Sequence, residues 1–227
     1  MTLIAEDLLL LLLDDESGKP VLDDTRLSRV LAGALLMELA LDERISPATE
    51  GNATKGNATK GGRVVVRNSQ PSGDQLLDRA VSTLNASKPM KPVRAVEKLQ
   101  KGLRQDVLSR LASQGLVREE RGRALGIFPT THWPATDPAH EARLRAELSQ
   151  VLVHGMEPTQ RTAALASLLS AVDAVSKVVP SDDRRAVKLR AKQIAEGEWA
   201  GVAVRKAIEA VNAAVATAAV VATSSGG

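Results

Sequence analysis

Apolar residues recur at intervals of three and four positions along most of the chain, a spacing that predicts helices. Near its start, Leu8 to Leu13 form a run of six leucines, and Glu6 and Asp7 favour a helix start by charge. This predicts a first helix of about three turns with Thr2 as its N-cap. The next apolar stripe predicts a second helix from about Asp24 to Leu41; it consists of Leu27, Val30, Leu31, Ala34, Leu35 and Leu39.

The same spacing, together with turn residues, divides the rest of the chain into further elements. Helices are expected at about Asp74 to Leu84, Val93 to Gln114, Pro138 to His154, Thr159 to Val178, Ser181 to Glu196 and Val202 to Val221. Short β segments are expected at Arg63 to Arg67 and as a hairpin of Leu116-Val117 with Arg123 to Phe128. The pattern predicts a mainly α fold: a single compact multi-helix domain over residues 1–227 with one or two small β-hairpins. The tandem Gly-Asn-Ala-Thr-Lys repeat predicts a flexible loop at 51–62.

Composition narrows the function classes that this fold could serve. The chain has no cysteine, which removes disulfides, thiol catalysis and thiolate metal sites. Phe128, Trp133 and Trp199 are its only aromatic residues, too few for a base-stacking surface. Acidic flanks and the lack of a basic n-region argue against the leucine run as a signal peptide, and the Ala/Val-rich end is too short to span a bilayer. We therefore expect a cytoplasmic protein.

Residues for catalysis or metal binding form no recognisable pattern. The three histidines, His132, His140 and His154, lack the i,i+3 or i,i+4 spacing of a helical metal site. A glycine-rich phosphate loop and the common hydrolase and metalloprotease motifs do not occur. We expect no enzyme activity, no cofactor and no metal site.

The informative feature is a basic stretch from Lys88 to Arg123, with ten Lys/Arg against four acids in a chain whose formal net charge is only +3. On the expected helix, Arg94, Lys98 and Lys101 lie opposite the apolar face, and Arg104 lies at its boundary. The expected hairpin brings apolar residues next to these cations; they are Leu125, Ile127 and Phe128. Cations beside an apolar hairpin suit an anionic membrane surface. Strand alternation favours Leu125 and Ile127 facing lipid with Phe128 packed inward.

Three other interpretations remain open from the residues alone. The cations could solvate the outer side of an amphipathic helix while the apolar strand packs on the core. A helix followed by a hairpin is also how a winged helix-turn-helix ends, with basic residues on phosphates, although the weak net charge makes nucleic acid an unlikely partner. The third interpretation is a scaffold with neither ligand.

Several segments, in their order and spacing, resemble the Golgi phosphoprotein 3 family, and the chain looks like a bacterial member of it. They are Thr2 to Leu10, Gly33 to Leu41 with Arg44-Ile45, Pro71 to Asp78, Leu111 to Val117 and Thr130-Thr-His132. The resemblance implies a mainly α-helical domain that binds membranes peripherally. In eukaryotic members it implies a basic pocket for phosphatidylinositol 4-phosphate, an inserted apolar hairpin, and an adaptor role towards membrane-protein tails.

Carried over by position, two of the family's pocket arginines fall on Lys101 and Arg104, which keep the charge. The pocket tryptophan falls on Asp23 and another pocket arginine on Ala32, so half of the pocket is absent. An aspartate there repels phosphate. We therefore expect anionic lipids to be bound at the inner face of the membrane without selection for this headgroup. A membrane-protein partner is implied by the resemblance alone.

Overall fold

The computed structural model describes residues 2–14, 17–47, 62–124, 127–196 and 209–216, without the side chains of Pro47, Arg123, Ala124, Phe128 and Pro129. Over these residues the fold is mainly α with two small antiparallel hairpins, which confirms the expected class. The helices are α1 (Ile4–Leu11), α2 (Asp24–Leu41), α3 (Gln75–Asn85), α4 (Pro92–Leu99), α5 (Leu103–Ser113), α6 (Pro138–Leu152), α7 (Gln160–Ala171), α8 (Val175–Val178) and α9 (Arg184–Ala195). A further helical segment lies at 209–216.

Helix α1 is buried on every side, as expected of a leucine run that has other helices packed against each of its faces. Its N-cap is Leu3 and not Thr2, so the expected cap is wrong by one residue. The shift places Glu6 at the third helical position, where its carboxylate accepts a 2.7 Å hydrogen bond from the Leu3 N–H. The acid at this position therefore satisfies the backbone donor of the N-cap residue, as the acid of a capping box does.

Helix α2 forms the centre of the core, where it packs on α1, α3, α4, α5 and α7. It begins and ends at the residues that the apolar stripe predicted. At its start, the Asp23 carboxylate caps it by accepting a 2.9 Å hydrogen bond from the Arg26 N–H. At Gly33 an added Cβ would lie 2.8 Å from Cγ2 of Val215, so the segment 209–216 crosses α2 at this glycine.

The long helix expected from Val93 to Gln114 is wrong: α4 ends at Leu99 and α5 begins at Leu103. Gly102, the N-cap of α5, has φ +71°, a left-handed conformation that costs glycine nothing and breaks the α-helical path. Val96, Leu99, Leu103 and Val107 are nevertheless all buried, because both helices pack on α2. The apolar spacing thus continues through a break in the backbone.

Each of the two hairpins is a pair of short strands. Strand β1 (Ile45–Pro47) pairs with β2 (Val64–Val66), and β3 (Glu120–Ala124) pairs with β4 (Phe128–His132). The expected second hairpin exists but is displaced along the chain: residues 125–127 connect β3 to β4, and Val117 makes only an isolated bridge to Ala135. Ile127 was therefore wrongly expected within a strand, and Leu125 lies outside the described residues.

The C-terminal helices follow the prediction with one division. The expected helix from Thr159 to Val178 is split into α7 and α8 around Asp173, whose φ is +53°. The helix expected at about Val202 to Val221 is described only at 209–216, where it is helical. The loop expected at 51–62 lies, apart from Gly62, outside the described residues.

Candidate functional site

The predicted headgroup residues lie around the turn that separates α4 from α5, which we call the α4–α5 junction (residues 98–104). Lys98 is on the last turn of α4, Lys101 is in the turn itself, and Arg104 is on the first turn of α5. Lys101 was wrongly expected on a helical face, because the backbone is not helical there. Both lysines are exposed, and Arg104 is half-buried.

Ion pairs divide the four predicted cations into two groups. Arg94 pairs with Glu97 at 3.0 Å, and Arg104 Nη1 lies 2.5 Å from Asp24 Oδ1. Lys98 and Lys101 have no ion pair with any residue that the structure describes. The lysines therefore carry the uncompensated charge of the junction. The two arginines would have to exchange a carboxylate for a ligand's phosphate.

Two depressions adjoin the junction. Lys98, Lys101 and Arg79 line a cleft of about 160 Å³ over an apolar floor that includes Leu99 and Leu103. Arg79 contributes little free charge there, since it pairs with Asp106.

On the other side of the junction lies a cavity of about 390 Å³, lined by Gly102 and Arg104 and by Glu119, Thr131 and Trp133 at the foot of the β3–β4 hairpin. The Arg104 Nε is buried and has no hydrogen-bond partner among the described residues. This cavity makes the junction and the hairpin neighbours in space, as the sequence-based hypothesis required.

The two positions where family pocket residues are replaced do not line the cavity beside Arg104. The Asp23 carboxylate caps α2, and Ala32 is fully buried in the core. Asp23 is next in the chain to Asp24, the ion-pair partner of Arg104, so it lies near the junction as the carry-over implies.

The hairpin is anchored at its foot and exposed at its turn. Trp133 is buried, and its backbone N–H donates a 3.0 Å hydrogen bond to the Gly18 carbonyl. A Cβ at Gly18 would lie 2.5 Å from the Pro134 nitrogen, so this close approach requires glycine. At the other end Ile127 is 73% exposed, more than any other large apolar residue among those described. Leu125 and the Phe128 side chain lie outside the described residues.

Charges on the hairpin are largely paired with each other. Arg118 Nη2 lies 2.5 Å from Glu120 Oε1, and Arg121 Nε lies 2.8 Å from Glu119 Oε1. The hydrogen bond to Glu119 raises the pKa of the Arg121 guanidinium. These arginines contribute less free positive charge than the sequence count indicates.

Sequence reasoning missed a buried ionic network at the start of α1. Glu6, fully buried, accepts hydrogen bonds from Arg110 Nε at 3.0 Å and Gln114 Nε2 at 2.8 Å. Asp7, also buried, lies 3.0 Å from His140 Nε2 and 2.5 Å from Arg161 Nη2. Arg110 belonged to the basic stretch, but its role is structural. Two acids inside a leucine-rich helix were the available signal, because buried carboxylates need cationic partners.

Burial raises the pKa of Glu38, another acid of this network, because it penalises the charged form. Its carboxylate accepts a hydrogen bond from the Ile4 N–H and lies 3.6 Å from Arg161, and both contacts oppose the shift. The described residues contain no group of three potential ligands that could hold a metal ion.

Together these features define a mainly α-helical domain in which a lysine-bearing junction lies beside a hairpin with an exposed isoleucine at its turn. The family model of Golgi phosphoprotein 3 (GPP34) matches residues 4–211, and the chain belongs to this family. The family is not a known enzyme family. None of the helices described is both long and apolar enough to cross a membrane.

Proposed function

We propose that this protein binds the surface of anionic membranes peripherally, through the cations of the α4–α5 junction and the turn of the β3–β4 hairpin. The observation that carries the proposal is the juxtaposition of the α4–α5 junction, through Gly102 and Arg104, with the foot of a hairpin whose turn exposes Ile127. Cations attract the headgroups, and the isoleucine enters the interface.

Each lysine near an anionic surface contributes about 1 kcal/mol, so Lys98 and Lys101 together supply about 2 kcal/mol, or roughly 30-fold in binding. Arg94 and Arg104 add to this by exchanging Glu97 and Asp24 for lipid phosphates. The exchange costs little free energy, because exposed ion pairs contribute only about 0–1 kcal/mol and Asp24 is 82% exposed.

Family membership supports a lipid-associated adaptor, and we extend the proposal to a membrane-protein partner at the inner, cytoplasmic face of the membrane. The winged-helix alternative receives no support from the family. The pairing of Arg118 and Arg121 with neighbouring glutamates also removes charge from the hairpin that such a protein would place on DNA phosphates.

Co-sedimentation with vesicles tests the proposal, comparing phosphatidylcholine alone with mixtures containing phosphatidylglycerol, beside a DNA gel shift at the same salt. We expect binding to the anionic vesicles only, and a loss of roughly 30-fold in the variant Lys98→Gln/Lys101→Gln. The matched control is Arg63→Gln/Arg143→Gln, which removes the same charge from exposed positions outside the junction. Equal binding by the two folded variants would refute the assignment of the junction.

Headgroup selection is tested in the same assay by replacing phosphatidylglycerol with phosphatidylinositol 4-phosphate at equal surface charge. We expect no preference, because Asp23 caps a helix and Ala32 is buried where the family carries pocket residues. A clear preference for the phosphoinositide would show that a pocket for it exists elsewhere in this chain.

A further inference from the structure

Helix α9 is a second basic surface, separate from the stretch that the sequence singled out. Its 12 residues, Arg184–Ala195, include five cations and no acid: Arg184, Arg185, Lys188, Arg190 and Lys192. Acids occur only at its ends, where Asp183 is the N-cap and Glu196 the C-cap. A surface helix that needs only to be solvated normally mixes both signs of charge.

The apolar and charged faces of α9 point in opposite directions. Val187, Ala191 and Ile194 are buried, and the helix packs on α6, α7 and α8. The opposite face, which we call the α9 outer face, consists of Arg185, Lys188, Leu189 and Lys192. At about 100° per residue these four side chains fall within one arc of about 100°.

Leu189 is the unusual member of this face. It is 59% exposed, the second most exposed large apolar residue among those described, and cations flank it on both sides. Lys188 lies 2.8 Å from Asp173, which is itself 76% exposed, and Arg185 and Lys192 have no ion pair with a described residue. The face therefore offers one apolar side chain within a ring of long, largely free cations.

The placement of charge in α9 works against the helix's own stability. Arg184 and Arg185 occupy the first turn, where the macrodipole is positive and acids are preferred. Asp182 and the capping Asp183, whose carboxylate accepts a 2.9 Å hydrogen bond from the Ala186 N–H, precede them and offset part of this cost. The first-turn cations therefore do not stabilise the helix through its dipole.

We infer that the α9 outer face is a second binding surface for anionic lipid. A lipid surface accepts a few independent cations without shape complementarity, and it also takes up an exposed leucine. A nucleic acid would leave Leu189 in water, and the face has no aromatic residue on which a base could stack. A protein interface needs an apolar centre of several well-packed residues, and this face offers Leu189 alone.

This inference extends the proposed function to different elements of the fold. The α4–α5 junction packs on α2 and α3, whereas α9 packs on α6, α7 and α8. The two basic surfaces can therefore be removed independently, and each can be tested with the other intact.

The test is co-sedimentation of the full chain with phosphatidylglycerol-containing vesicles, using Arg185→Gln/Lys188→Gln/Lys192→Gln. Glutamine preserves helix propensity, and all three positions are exposed. The matched control is Lys19→Gln/Arg63→Gln/Arg143→Gln, with the same loss of charge at other exposed positions. We expect the α9 variant to bind roughly tenfold or more weakly than this control. Leu189→Ser should weaken binding further at high salt, where charge attraction is screened.

Equal binding by the α9 variant and its control would overturn the inference. The inference would also be overturned if the α9 variant lost retention on immobilised DNA or polyglutamate while its vesicle binding stayed unchanged, because the face would then bind an acidic macromolecule. The α9 variant is also combined with Lys98→Gln/Lys101→Gln. If only the α9 change weakens binding, the inference stands and the junction proposal fails; if only the junction change does, the reverse holds.

Discussion

Replacing Ile127 by serine separates membrane insertion from charge attraction. Ile127 lies in the connection between β3 and β4, outside the paired residues, and is 73% exposed. Its replacement therefore removes little buried area in the free protein, and we expect the thermal unfolding midpoint of the Ile127→Ser variant to stay close to that of the wild type. The change acts mainly on the membrane-bound state.

The expected loss follows from the exposed area. Full burial of an isoleucine side chain is worth about 1.5–3 kcal/mol, and about three quarters of that remains available here, or about 1–2 kcal/mol. This corresponds to a roughly 5- to 30-fold weaker vesicle partition coefficient. Between about 0.1 M and about 1 M salt the screening length falls from about 10 Å to about 3 Å, so the cations lose their contribution while the isoleucine keeps its own.

The assay is vesicle co-sedimentation at both salt concentrations, with Met156→Ser as the matched control, because Met156 is another large apolar residue that is 56% exposed. Ile127→Leu should restore binding, since it returns the apolar area. If folded Ile127→Ser protein binds like Met156→Ser at both salt concentrations, the hairpin does not insert. Binding by the wild type would then rest on charge alone.

Two further predictions concern stability. Arg110→Met leaves the fully buried Glu6 without its cationic partner, so urea unfolding should show a free energy of unfolding lower by about 3 kcal/mol or more. Adding Glu6→Gln in the same chain should restore a part of it. A loss below about 1 kcal/mol would contradict the buried network. The Ser72 N–H donates a hydrogen bond to Asp78 and holds the pKa of that carboxyl below its usual value. The ionised carboxylate therefore stabilises the fold at pH values above the unfolded-state pKa of about 3.9. This contribution is lost as the pH falls through the lower folded-state pKa. Asp78→Asn should therefore flatten the acid limb of a stability-against-pH curve, and an unchanged slope would contradict the assignment.

Regular helices could be predicted closely where the apolar pattern and a cap agree. Helix α2 was predicted over its full length from its continuous apolar stripe, and the structure shows Asp23 as its cap. Helix α3 begins one residue from its predicted start, next to the capping Asp74. The break at Gly102 was missed because the apolar spacing on its two sides remains in phase. Only the glycine marked it, and an isolated glycine within a helical pattern is ambiguous.

The hairpin was placed too early because strand prediction favours apolar residues. Leu116-Val117 looks more like a strand than Glu120–Ala124, yet the charged segment forms β3. Pairing with β4 across the register Glu120 to His132 selects it, and such pairing is a tertiary property that periodicity does not contain. The four candidate cations were named from the sequence, whereas the pairing of Arg94 with Glu97 and of Arg104 with Asp24 required the structure.

Net charge is a poor guide to what this protein binds, because it does not distinguish cations held in internal ion pairs from those free to meet a partner. The acids Glu6, Asp7 and Glu141 are buried, and they hold Arg110, Arg161 and Arg145 in ion pairs. A pair of this kind contributes zero to the net charge of +3 and little to the field outside the molecule, so the total does not show where the unpaired cations lie. The charge that reaches a partner is set by the cations left without acids; among the described residues these include Lys98 and Lys101 at the α4–α5 junction and Arg185 and Lys192 on the α9 outer face. Removing either group should therefore alter membrane binding far more than the same change in net charge made elsewhere.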